Sequence, residues 1–409
     1  MNKIIAMLLT CIVLLTGCTS VSVPSGTDLM TGMQGQYTPA SGDITEEGDL
    51  ALTALGLMLL RKCAAEKSTL ISPLSIAMAL GMTANGAREG TLAGMEQVLG
   101  LPIEKLNRFL AAYGASLPQG DTFGMHLANG IWIREDGQFV PDKEFLQANA
   151  DYYRAALRTT DFDDGTLQEI NGFVKKNTDG MIERILDRIP EESLMYLVNA
   201  LAFESKWDAP YNGNNVWSME FMTESGEKQS MQGMHSTEYL YLENEDITGF
   251  IRPYAENRYA FVALLPKKGK NVGECLLDFS AQSIRDLLTN PQQTAVLAVL
   301  PKFEKTYDAE LQDALSTLGM EEAFDPNKAD FSGMGVMENG DTLYIGRVLH
   351  KTFISVAEEG TRAGAATAVE MEGGSALIER SVCLDRPFIY LIVDMTNKVP
   401  LFMGTLMEI

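Results

Sequence analysis

The sequence predicts an α+β fold: one large domain with helices concentrated in its first half and strands in its second half. Apolar residues recur at helical spacing in most segments before residue 190. From Leu194 onward they instead form runs rich in β-branched and aromatic residues, which are typical of strands. No repeat and no polar linker interrupts residues 49–409, and 46% of the chain is hydrophobic, so a single ordinary packed core is expected.

The first half is predicted to consist of amphipathic helices with two short strands between them. The predicted helices are DLALTALGLMLLRKCAAEK, PLSIAMALGMTA up to Gly86, TLAGMEQVLG, IEKLNRFLAAYGAS, PDKEFLQANADYYR and LQEINGFVKKNTDGMIERI. The predicted strands are STLI and HLANGIWIRE. A Ser-Pro pair precedes the second helix, and a proline is expected to open the fifth.

The second half is predicted to be rich in strands. The segments that indicate strands are LMYLVNALAFESKW, FIRPYAENRYAFVALLP and TAVLAVLPKFEKTYD. AELQDALSTLGM has helical spacing, and the C-terminal RPFIYLIVDMTNKVPLFMGTLMEI predicts two strands joined by a Thr-Asn-Lys turn.

The N-terminus resembles a bacterial lipoprotein signal. MNKIIAMLLTCIVLLTGC has a lysine and then an apolar run too short for a spanning helix, ending in a sequence that resembles a lipobox. Residues 1–17 would be removed, Cys18 would be lipidated, residues 18–46 would form a flexible tether, and residues 47–409 would form the domain. An ordinary signal peptide with an incidental cysteine is the alternative. Because Thr19 replaces the aspartate of inner-membrane lipoproteins, we expect a lipid-anchored protein of the cell envelope, with the outer membrane favoured.

Composition and motifs exclude several classes of function. A net charge of −23 argues against a nucleic-acid partner, because such partners require clustered Lys and Arg. The chain has no G-x-S-x-G, H-E-x-x-H, C-x-x-C or phosphate-binding G-x-x-x-x-G-K-[ST] sequence. We therefore expect no enzyme, no cofactor and no metal. The cysteines after the tether are expected to be buried thiols: Cys63, Cys275 and Cys383.

The segment from Val356 to Val382 is far longer than an ordinary connection and lies between two predicted strands, LHKTFISV and VCLDRPFIYLIV. Every second residue from Thr361 to Met371 is small or apolar, and all the charges of this stretch lie on the alternate positions. Side chains of a strand alternate between faces, so the segment could lie in a sheet with one face buried. A hairpin with a long flexible arm also fits this composition.

Six ordered motifs resemble those of the serpins over nearly all of residues 49–409. The motifs are ISPLSIAMALGMTANGAREGT, INGFVKKNTDGMI, LVNALAFESKW, LPKFEKTYDAELQDALSTLGMEEAFDPNKADFSGM, VLHKTFISVAEEGTRAGAATA and RPFIYLIVDMTNKVPLFMG. The resemblance implies the serpin fold: a large mixed central β-sheet, two smaller sheets, about nine helices and an exposed reactive centre loop at about residues 358–381. Four features depart from the family pattern: Arg362, Gly364, the Glu204-Ser205 pair, and a C-terminus without Asn-Pro.

The resemblance also implies a function. In serpins the loop is the segment that a serine or cysteine protease attacks. After cleavage the loop becomes an extra strand of the central sheet, and the acyl-enzyme is trapped. The chain is therefore expected to be a monomeric, irreversible suicide-substrate inhibitor. A non-inhibitory serpin-fold envelope protein, acting as substrate or binder, is the alternative.

Site residues follow from the same motifs. The hinge, where loop insertion begins, is expected at Glu358, Glu359, Gly360, Thr361, Ala363, Ala365, Ala366 and Thr367. The residues expected to control opening of the sheet are Ser72, Ser75, Asn199, Trp207, Lys302 and His350. A Lys302–Glu358 ion pair is expected at the top of the sheet.

The reactive bond is the least determined site. Counting from the hinge places it at Gly374–Ser375, whereas counting back from Arg386 places it at Ala376–Leu377. Both bonds follow a small residue, which favours elastase-like or broad cysteine proteases over trypsin-like ones. Three other bonds stay open as candidates: Glu372–Gly373, Leu377–Ile378 and Arg380–Ser381.

Overall fold

The computed structural model describes residues 26–64, 67–117, 123–135, 139–190, 193–361 and 380–408. These residues form eight helices of seven residues or more: α1 Glu46–Cys63, α2 Pro73–Ala84, α3 Glu89–Leu99, α4 Ile103–Ser116, α5 Lys143–Tyr152, α6 Asp164–Asn177, α7 Val272–Asp278 and α8 Ala281–Thr289. A ninth helical segment, residues 312–324, contains a π-helical stretch at Ser316–Met320. None of the described helices is long and apolar enough to cross a membrane.

Strands occupy both halves of the described chain. They are β1 Thr27–Asp28, β2 Thr69–Ile71, β3 Phe123–Arg134, β4 Phe139–Pro141, β5 Ala156–Thr160, β6 Met195–Lys206, β7 Val216–Met222, β8 Lys228–Glu243, β9 Ile247–Pro253, β10 Tyr259–Pro266, β11 Gln292–Pro301, β12 Phe303–Glu310, β13 Gly335–Met337, β14 Arg347–Ala357, β15 Gly360–Thr361, β16 Arg380–Cys383, β17 Phe388–Asp394 and β18 Val399–Leu406. The predicted α+β class is confirmed.

The described strands form three sheets. A seven-stranded sheet has the order β1-β5-β3-β6-β15-β14-β12, and we call it the central sheet. A nine-stranded sheet follows the order β16-β11-β8-β9-β10-β17-β18-β2, with β7 paired to β8. The third sheet pairs β13 with β4. One large hydrophobic core joins the central and nine-stranded sheets with most of the helices, and a smaller core lies between α6 and the central sheet.

Helix α2 is the buried helix that supports the middle of the central sheet. Ser72 caps it by accepting a hydrogen bond from the backbone N–H of Ser75, and Pro73 occupies the first position, where no N–H is needed. All twelve residues of the helix are buried. The predicted Ser-Pro start is therefore confirmed.

Two predicted helix boundaries are wrong. Asp142, not the proline before it, opens α5, because its carboxylate accepts hydrogen bonds from the backbone N–H groups of Glu144 and Phe145. Helix α6 ends at Asn177 and does not continue to Ile185. Thr178 is the C-cap of the helix, and the chain then leaves the helical path through Asp179 and Gly180, whose φ angles are positive at 48° and 70°.

The expected flexible tether is wrong for residues 26–46, which lie against the domain. Strand β1 pairs antiparallel with β5 and extends the edge of the central sheet. Leu29, Met30 and Met33 pack against the main core, and the backbone N–H of Gln36 donates to the carboxylate of Asp151. The lipidation site Cys18 lies outside the described residues and stays a prediction.

Candidate functional site

The centre of the site is a seam in the central sheet between β6 and β14. The two strands pair directly and in parallel from Tyr196 opposite Arg347 to Ala202 opposite Phe353. Beyond this point they separate, and β15 lies between them, antiparallel to both. The sheet is therefore closed along most of the seam and already open at one end, where the first hinge residues occupy the gap.

Gly360 permits this arrangement because the backbone of β6 passes very close to it. A Cβ added at Gly360 would lie 2.1 Å from the carbonyl oxygen of Ser205 and 2.7 Å from the Cα of Lys206. Any other residue would have to push the two strands apart. The small residue predicted for the hinge is thus required by the packing.

Thr361 is the deepest described residue of the hinge. It is fully buried, opposite Ser205 on β6 and Val356 on β14. Its hydroxyl shares a hydrogen bond with the hydroxyl of Tyr254, which is also fully buried. The residue directly after β9 thus provides a specific polar partner for the first inserted side chain.

Trp207 holds the turn that precedes β15. Its indole N–H donates to the carbonyl of Ala357 at 2.8 Å, and its backbone N–H donates to the carbonyl of Glu359 at 2.9 Å. Its ring stacks on Tyr254 with a centroid distance of 4.5 Å and an interplanar angle of 7°. Trp207 therefore contributes both packing and hydrogen bonds to the hinge.

The expected ion pair between Lys302 and Glu358 is present, with Nζ to Oε2 at 2.8 Å. Partial burial of Glu358 raises the pKa of its carboxyl, but the hydrogen bonds from Lys302 and the backbone outweigh this effect and hold the pKa below its usual value. Both side chains are partly exposed, so the pair ties the turn to the end of β11 without adding much stability.

A buried ion pair beneath the hinge was not predicted from the sequence. Arg252 on β9 contacts the carboxylate of Glu238 on β8, and both side chains are buried. The guanidinium lies over the ring of Tyr211 at 3.8 Å and over Trp207 at 5.0 Å. The backbone N–H of Tyr211 donates to the carbonyl of Glu358 at 2.9 Å. Arg252 thereby fixes the two aromatic residues that contact the hinge.

A second polar cluster crosses the closed part of the seam. His350 on β14 lies opposite Asn199 on β6, and its Nδ1 is 2.6 Å from the side-chain oxygen of Asn199. The Asn199 amide donates to the carbonyl of Ser75 and to the side-chain oxygen of Asn129 on β3, the latter at 2.8 Å. These side chains thus link three strands and the start of α2. A strand inserted at the seam, between β6 and β14, would separate His350 from Asn199.

His350 is held in one tautomer. Its Nε2 accepts a hydrogen bond from the backbone N–H of Ser72 at 3.2 Å, so Nδ1 carries the proton and donates to Asn199. Complete burial lowers the pKa of His350 from 6.5 to about 3. A second proton would face the Ser72 N–H, so the cluster requires the neutral imidazole.

The predicted site residues thus fall into two groups. Trp207 and Lys302 contact the hinge turn at the open end, whereas Ser72, Ser75, Asn199 and His350 form the cluster at the closed seam. The remaining predicted residues lie outside the described residues: Ala363, Ala365, Ala366, Thr367, Gly374, Ser375, Ala376 and Leu377. Sequence reasoning missed Asn129, Tyr211, Glu238, Arg252 and Tyr254.

The sequence profile described as "Serpin (serine protease inhibitor)" matches residues 50–409. The chain belongs to the serpin family. It is thus a member of a family of protease inhibitors and not an enzyme, as expected. An uncharacterized serpin-like protein of Thermococcus kodakarensis is 32% identical over 82% of this chain and 80% of its own length. The leukocyte elastase inhibitor of Bos taurus is 30% identical over 82% of this chain and 92% of its own length.

Among solved structures, those of the thermophilic serpin tengpin in the native state and in the latent state are both similar. The native-state structure has a TM-score of 0.90 at 40% identity, and the match covers 94% of this chain and all of the solved chain. The latent-state structure has a TM-score of 0.80 at 41% identity, and the match covers 91% of this chain and all of the solved chain. The serpin architecture is confirmed, and the direct pairing of β6 with β14 agrees with the greater similarity to the native state.

Proposed function

We propose that this serpin is an irreversible suicide-substrate inhibitor of serine endopeptidases. The observation that carries the proposal is the position of the hinge: Gly360 and Thr361 already lie between β6 and β14, in the orientation that an inserted loop would continue. Thr361 is small, fully buried and hydrogen-bonded to Tyr254, which suits entry of the loop into the sheet at this point.

The energetics favour insertion once the loop is cut. An inserted strand of about a dozen residues would form hydrogen bonds to both neighbouring strands and bury one face. At about 1 kcal/mol per net hydrogen bond and ~25 cal/mol per Å² of buried apolar area, the free energy gained by insertion is on the order of ten to thirty kcal/mol. Before cleavage, both ends of the loop are fixed, at Thr361 and at Arg380 in β16. Cleavage frees one end, and the acylated protease is carried along before deacylation completes.

The proposed target is an elastase-like protease, with cysteine proteases as a second class. Support comes from the small residues before the two favoured bonds, Gly374–Ser375 and Ala376–Leu377, and from the similarity to leukocyte elastase inhibitors. The Arg380–Ser381 bond is less suitable as the reactive bond. Both residues lie in β16, where they pair with Val296 and Leu297 of β11, and they would have to leave the sheet to enter a protease.

We also propose that the protein is anchored in the bacterial cell envelope through acyl chains on Cys18, with the outer membrane favoured. The support is the lipobox-like sequence alone. Mass spectrometry of the N-terminal peptide from membrane-extracted protein should give a diacylated Cys18, and an unmodified or absent Cys18 would contradict the anchor without affecting the inhibitory function.

Incubation with elastase tests the inhibitory function. The result expected on a denaturing gel is a covalent band at the summed mass of inhibitor and protease, together with loss of elastase activity. Mass spectrometry of the C-terminal fragment released during the reaction identifies the reactive bond. Cleaved inhibitor with no covalent band would instead support the non-inhibitory alternative.

A further inference from the structure

The segment that connects the proposed lipid anchor to the first helix lies against the domain. Strand β1 pairs antiparallel with β5. Further along, the side-chain amide of Gln147 donates to the carbonyl of Gln34 at 3.0 Å, and the ring of Tyr37 contacts that of Tyr152 with centroids 4.8 Å apart. Residues 26–46, which we call the docked segment, are therefore part of the surface of the domain and not a free linker.

Two glycines of the docked segment permit its close contact with the domain. A Cβ added at Gly26 would lie 2.0 Å from the carbonyl oxygen of Thr159, and one added at Gly35 would lie 2.7 Å from that of Ala150. Both oxygens belong to the backbone, so they could move aside only with β5 or α5. By contrast, a Cβ added at Gly42 would have no heavy atom within 4 Å beyond its own chain neighbours. A larger side chain at either of the first two positions should thus detach the segment.

The pairing of β1 fixes where the chain enters the domain. Thr27 lies opposite Thr159, and Asp28 lies opposite Arg158. Because the two strands are antiparallel, Gly26 lies at the C-terminal end of β5, where the guanidinium of Arg158 donates to its carbonyl at 3.2 Å. We call this end of the central sheet the entry end.

The entry end is the end of the central sheet that lies away from the hinge. Thr160, the last residue of β5, is opposite Arg134 on β3, whose backbone N–H donates to the carbonyl of Leu194 directly before β6. The hinge lies near the other end of β6, where Thr361 is opposite Ser205. About eleven residues of extended strand separate these two levels, which is roughly 35 Å. The chain therefore enters at one end of the sheet and the reactive centre loop begins at the other.

The number of residues before the docked segment limits how far the domain can lie from the membrane. Seven residues, 19–25, separate Cys18 from Gly26. An extended chain covers no more than ~3.6 Å per residue, so these residues can span at most about 25–30 Å. If residues 26–45 were also free, the same limit would be about 90–100 Å. Docking therefore shortens the reach of the anchor to about a third.

Charge keeps the rest of the domain away from an anionic membrane. The net charge is −23, and three exposed carboxylates follow the end of β5: Asp161, Asp163 and Asp164. Anionic lipids give a membrane surface a negative potential, which repels like charges. The acyl anchor thus draws the entry end towards the bilayer, while the surface of the domain does not adsorb to it.

We propose that the docked segment fixes the orientation of the inhibitor on the membrane, with the entry end held within about 25–30 Å of the bilayer and the hinge directed to the aqueous side. The partner that fits this orientation is a soluble protease that approaches from the aqueous side, rather than a protease held at the membrane surface. The inference rests on the proposed function, and within it on the acyl anchor at Cys18.

The test measures the proximity of two sites to the bilayer in acylated protein reconstituted into vesicles of phosphatidylglycerol and phosphatidylethanolamine that carry a lipid-bound quencher. A dye is attached to Asp161→Cys at the entry end or to Lys206→Cys at the hinge end, and both positions are exposed. Because the two sites lie roughly 35 Å apart along the strands, the dye at residue 161 should be quenched at least about threefold more strongly. Labelling of the wild type corrects for reaction at Cys63 and Cys383, which are partly buried.

Matched glycine variants test the role of the docked segment itself. Gly26→Val combined with Gly35→Val should detach the segment and lengthen the reach of the anchor, so quenching at residue 161 should fall at least about twofold. Gly42→Val adds the same side chain in open space and should leave the quenching unchanged. If the double variant does not fold, Gly35→Val alone should act in the same direction. Equal quenching in the detached variant, the control and the wild type would overturn the proposal.

The direction of the hinge has a second measurement. Soluble elastase should cleave the loop with the same kcat/KM in vesicle-bound protein and in protein released by detergent, because the hinge end lies away from the bilayer. Cleavage that is about tenfold slower on vesicles would contradict an outward hinge. This comparison needs only cleavage, so it holds whether or not a covalent complex forms.

The anchor and the orientation fail in different ways. If the purified protein does not float with vesicles, the acyl anchor at Cys18 is wrong and the inference falls with it. If the protein floats but the dyes at residues 161 and 206 are quenched equally, the anchor stands and the orientation alone is wrong.

Discussion

Substitution of Thr361 tests the link between the hinge and inhibition. Its side chain is fully buried between β6 and β14, and its hydroxyl bonds to Tyr254. Thr361→Val keeps the shape and removes the hydroxyl, Thr361→Ser keeps the hydroxyl, and Thr361→Arg brings a charge to the same point. We expect Thr361→Arg to convert the protein from an inhibitor into a substrate of elastase.

The structure sets the size of each effect. Thr361→Val removes one hydrogen bond and leaves the buried Tyr254 hydroxyl without this partner, a cost of about 1–3 kcal/mol. Burying an unpaired guanidinium costs several kcal/mol. The two-residue strand β15 is held by a few backbone bonds worth about 1 kcal/mol each, so in Thr361→Arg the hinge should leave the sheet. Each added 1.4 kcal/mol slows insertion about tenfold, and deacylation then occurs first.

The assay is the fraction of inhibitor that forms a covalent complex, rather than cleaved product, at several ratios to elastase. Thr361→Ser should resemble the wild type, Thr361→Val should give a moderately higher stoichiometry of inhibition, and Thr361→Arg should give almost only cleaved product. All variants should be cut at the same bond. If Thr361→Arg forms as much complex as Thr361→Ser, the buried hinge position does not lie on the insertion path and the reasoning is refuted.

Three further predictions concern stability. The pKa of His350 is lowered by burial from 6.5 to about 3, so the unfolded chain takes up this proton first. The neutral imidazole of His350 stabilises the fold fully above about pH 6.5, and this stabilisation falls towards pH 3 by ~1.4 kcal/mol per pH unit. The free energy of unfolding measured in urea should therefore depend less on pH for His350→Gln than for the wild type. Equal pH slopes would contradict the buried neutral tautomer. A double-mutant cycle on Lys302 and Glu358 should give a coupling free energy of about 1 kcal/mol or less, because both side chains are partly exposed. A coupling above about 2 kcal/mol would instead show that this ion pair stabilises the closed turn strongly. A variant that begins at Gly35 loses β1 and the packing of Leu29, Met30 and Met33. Its free energy of unfolding should be lower by on the order of 2–4 kcal/mol than that of a variant that begins at Gly26. Equal melting temperatures would mean that this segment does not stabilise the domain.

The elements that could be predicted from the sequence are those specified by local signals. The start of α2 is an example, because the Ser72 cap and Pro73 are adjacent in the chain. The end of α6 is the opposite case. Its apolar spacing continues past Asn177, but Asn171 accepts hydrogen bonds from the backbone N–H groups of Ile185 and Leu186 and folds the chain back. A contact over about fourteen residues leaves no periodic signal.

The N-terminal segment was mispredicted for a related reason. Its composition is polar and rich in Gly, Ser and Pro, which is typical of a flexible linker. Only four apolar residues in it pack against the main core: Leu29, Met30, Met33 and Ile44. The segment is also attached by backbone bonds to the edge strand β5, by a polar contact with α5 and by a ring contact between Tyr37 and Tyr152. Backbone pairing with a sheet edge depends little on the side chains of the added strand, so composition does not reveal it.

The two halves of the candidate site differ in the same way. The residues of the hinge and seam could be predicted because they belong to continuous motifs that resemble those of a known family. Their partners Asn129, Tyr254 and Arg252 come from segments far away in the sequence and carry no motif of their own. The only sequence signal for Asn129 is a polar residue within an otherwise apolar strand, which by itself does not indicate what it bonds to.

Under the proposed function the intact protein persists in an arrangement that is not its most stable one, and the geometry offers a reason. The seam holds seven residue pairs in parallel, together with the side-chain bond from His350 to Asn199. Insertion would replace this single set of pairs with two antiparallel sets, which increases the number of hydrogen bonds, but the existing set must separate first. The contacts of Thr361 with Tyr254 and of Trp207 with the hinge turn need not change in that process, because they lie where the gap is already open. If the proposed insertion occurs, its barrier therefore lies at the seam and its starting point at the hinge. Substitutions in the two groups should then affect different quantities. Seam substitutions should change the stability of the intact state, and hinge substitutions should change the fate of the acyl-enzyme.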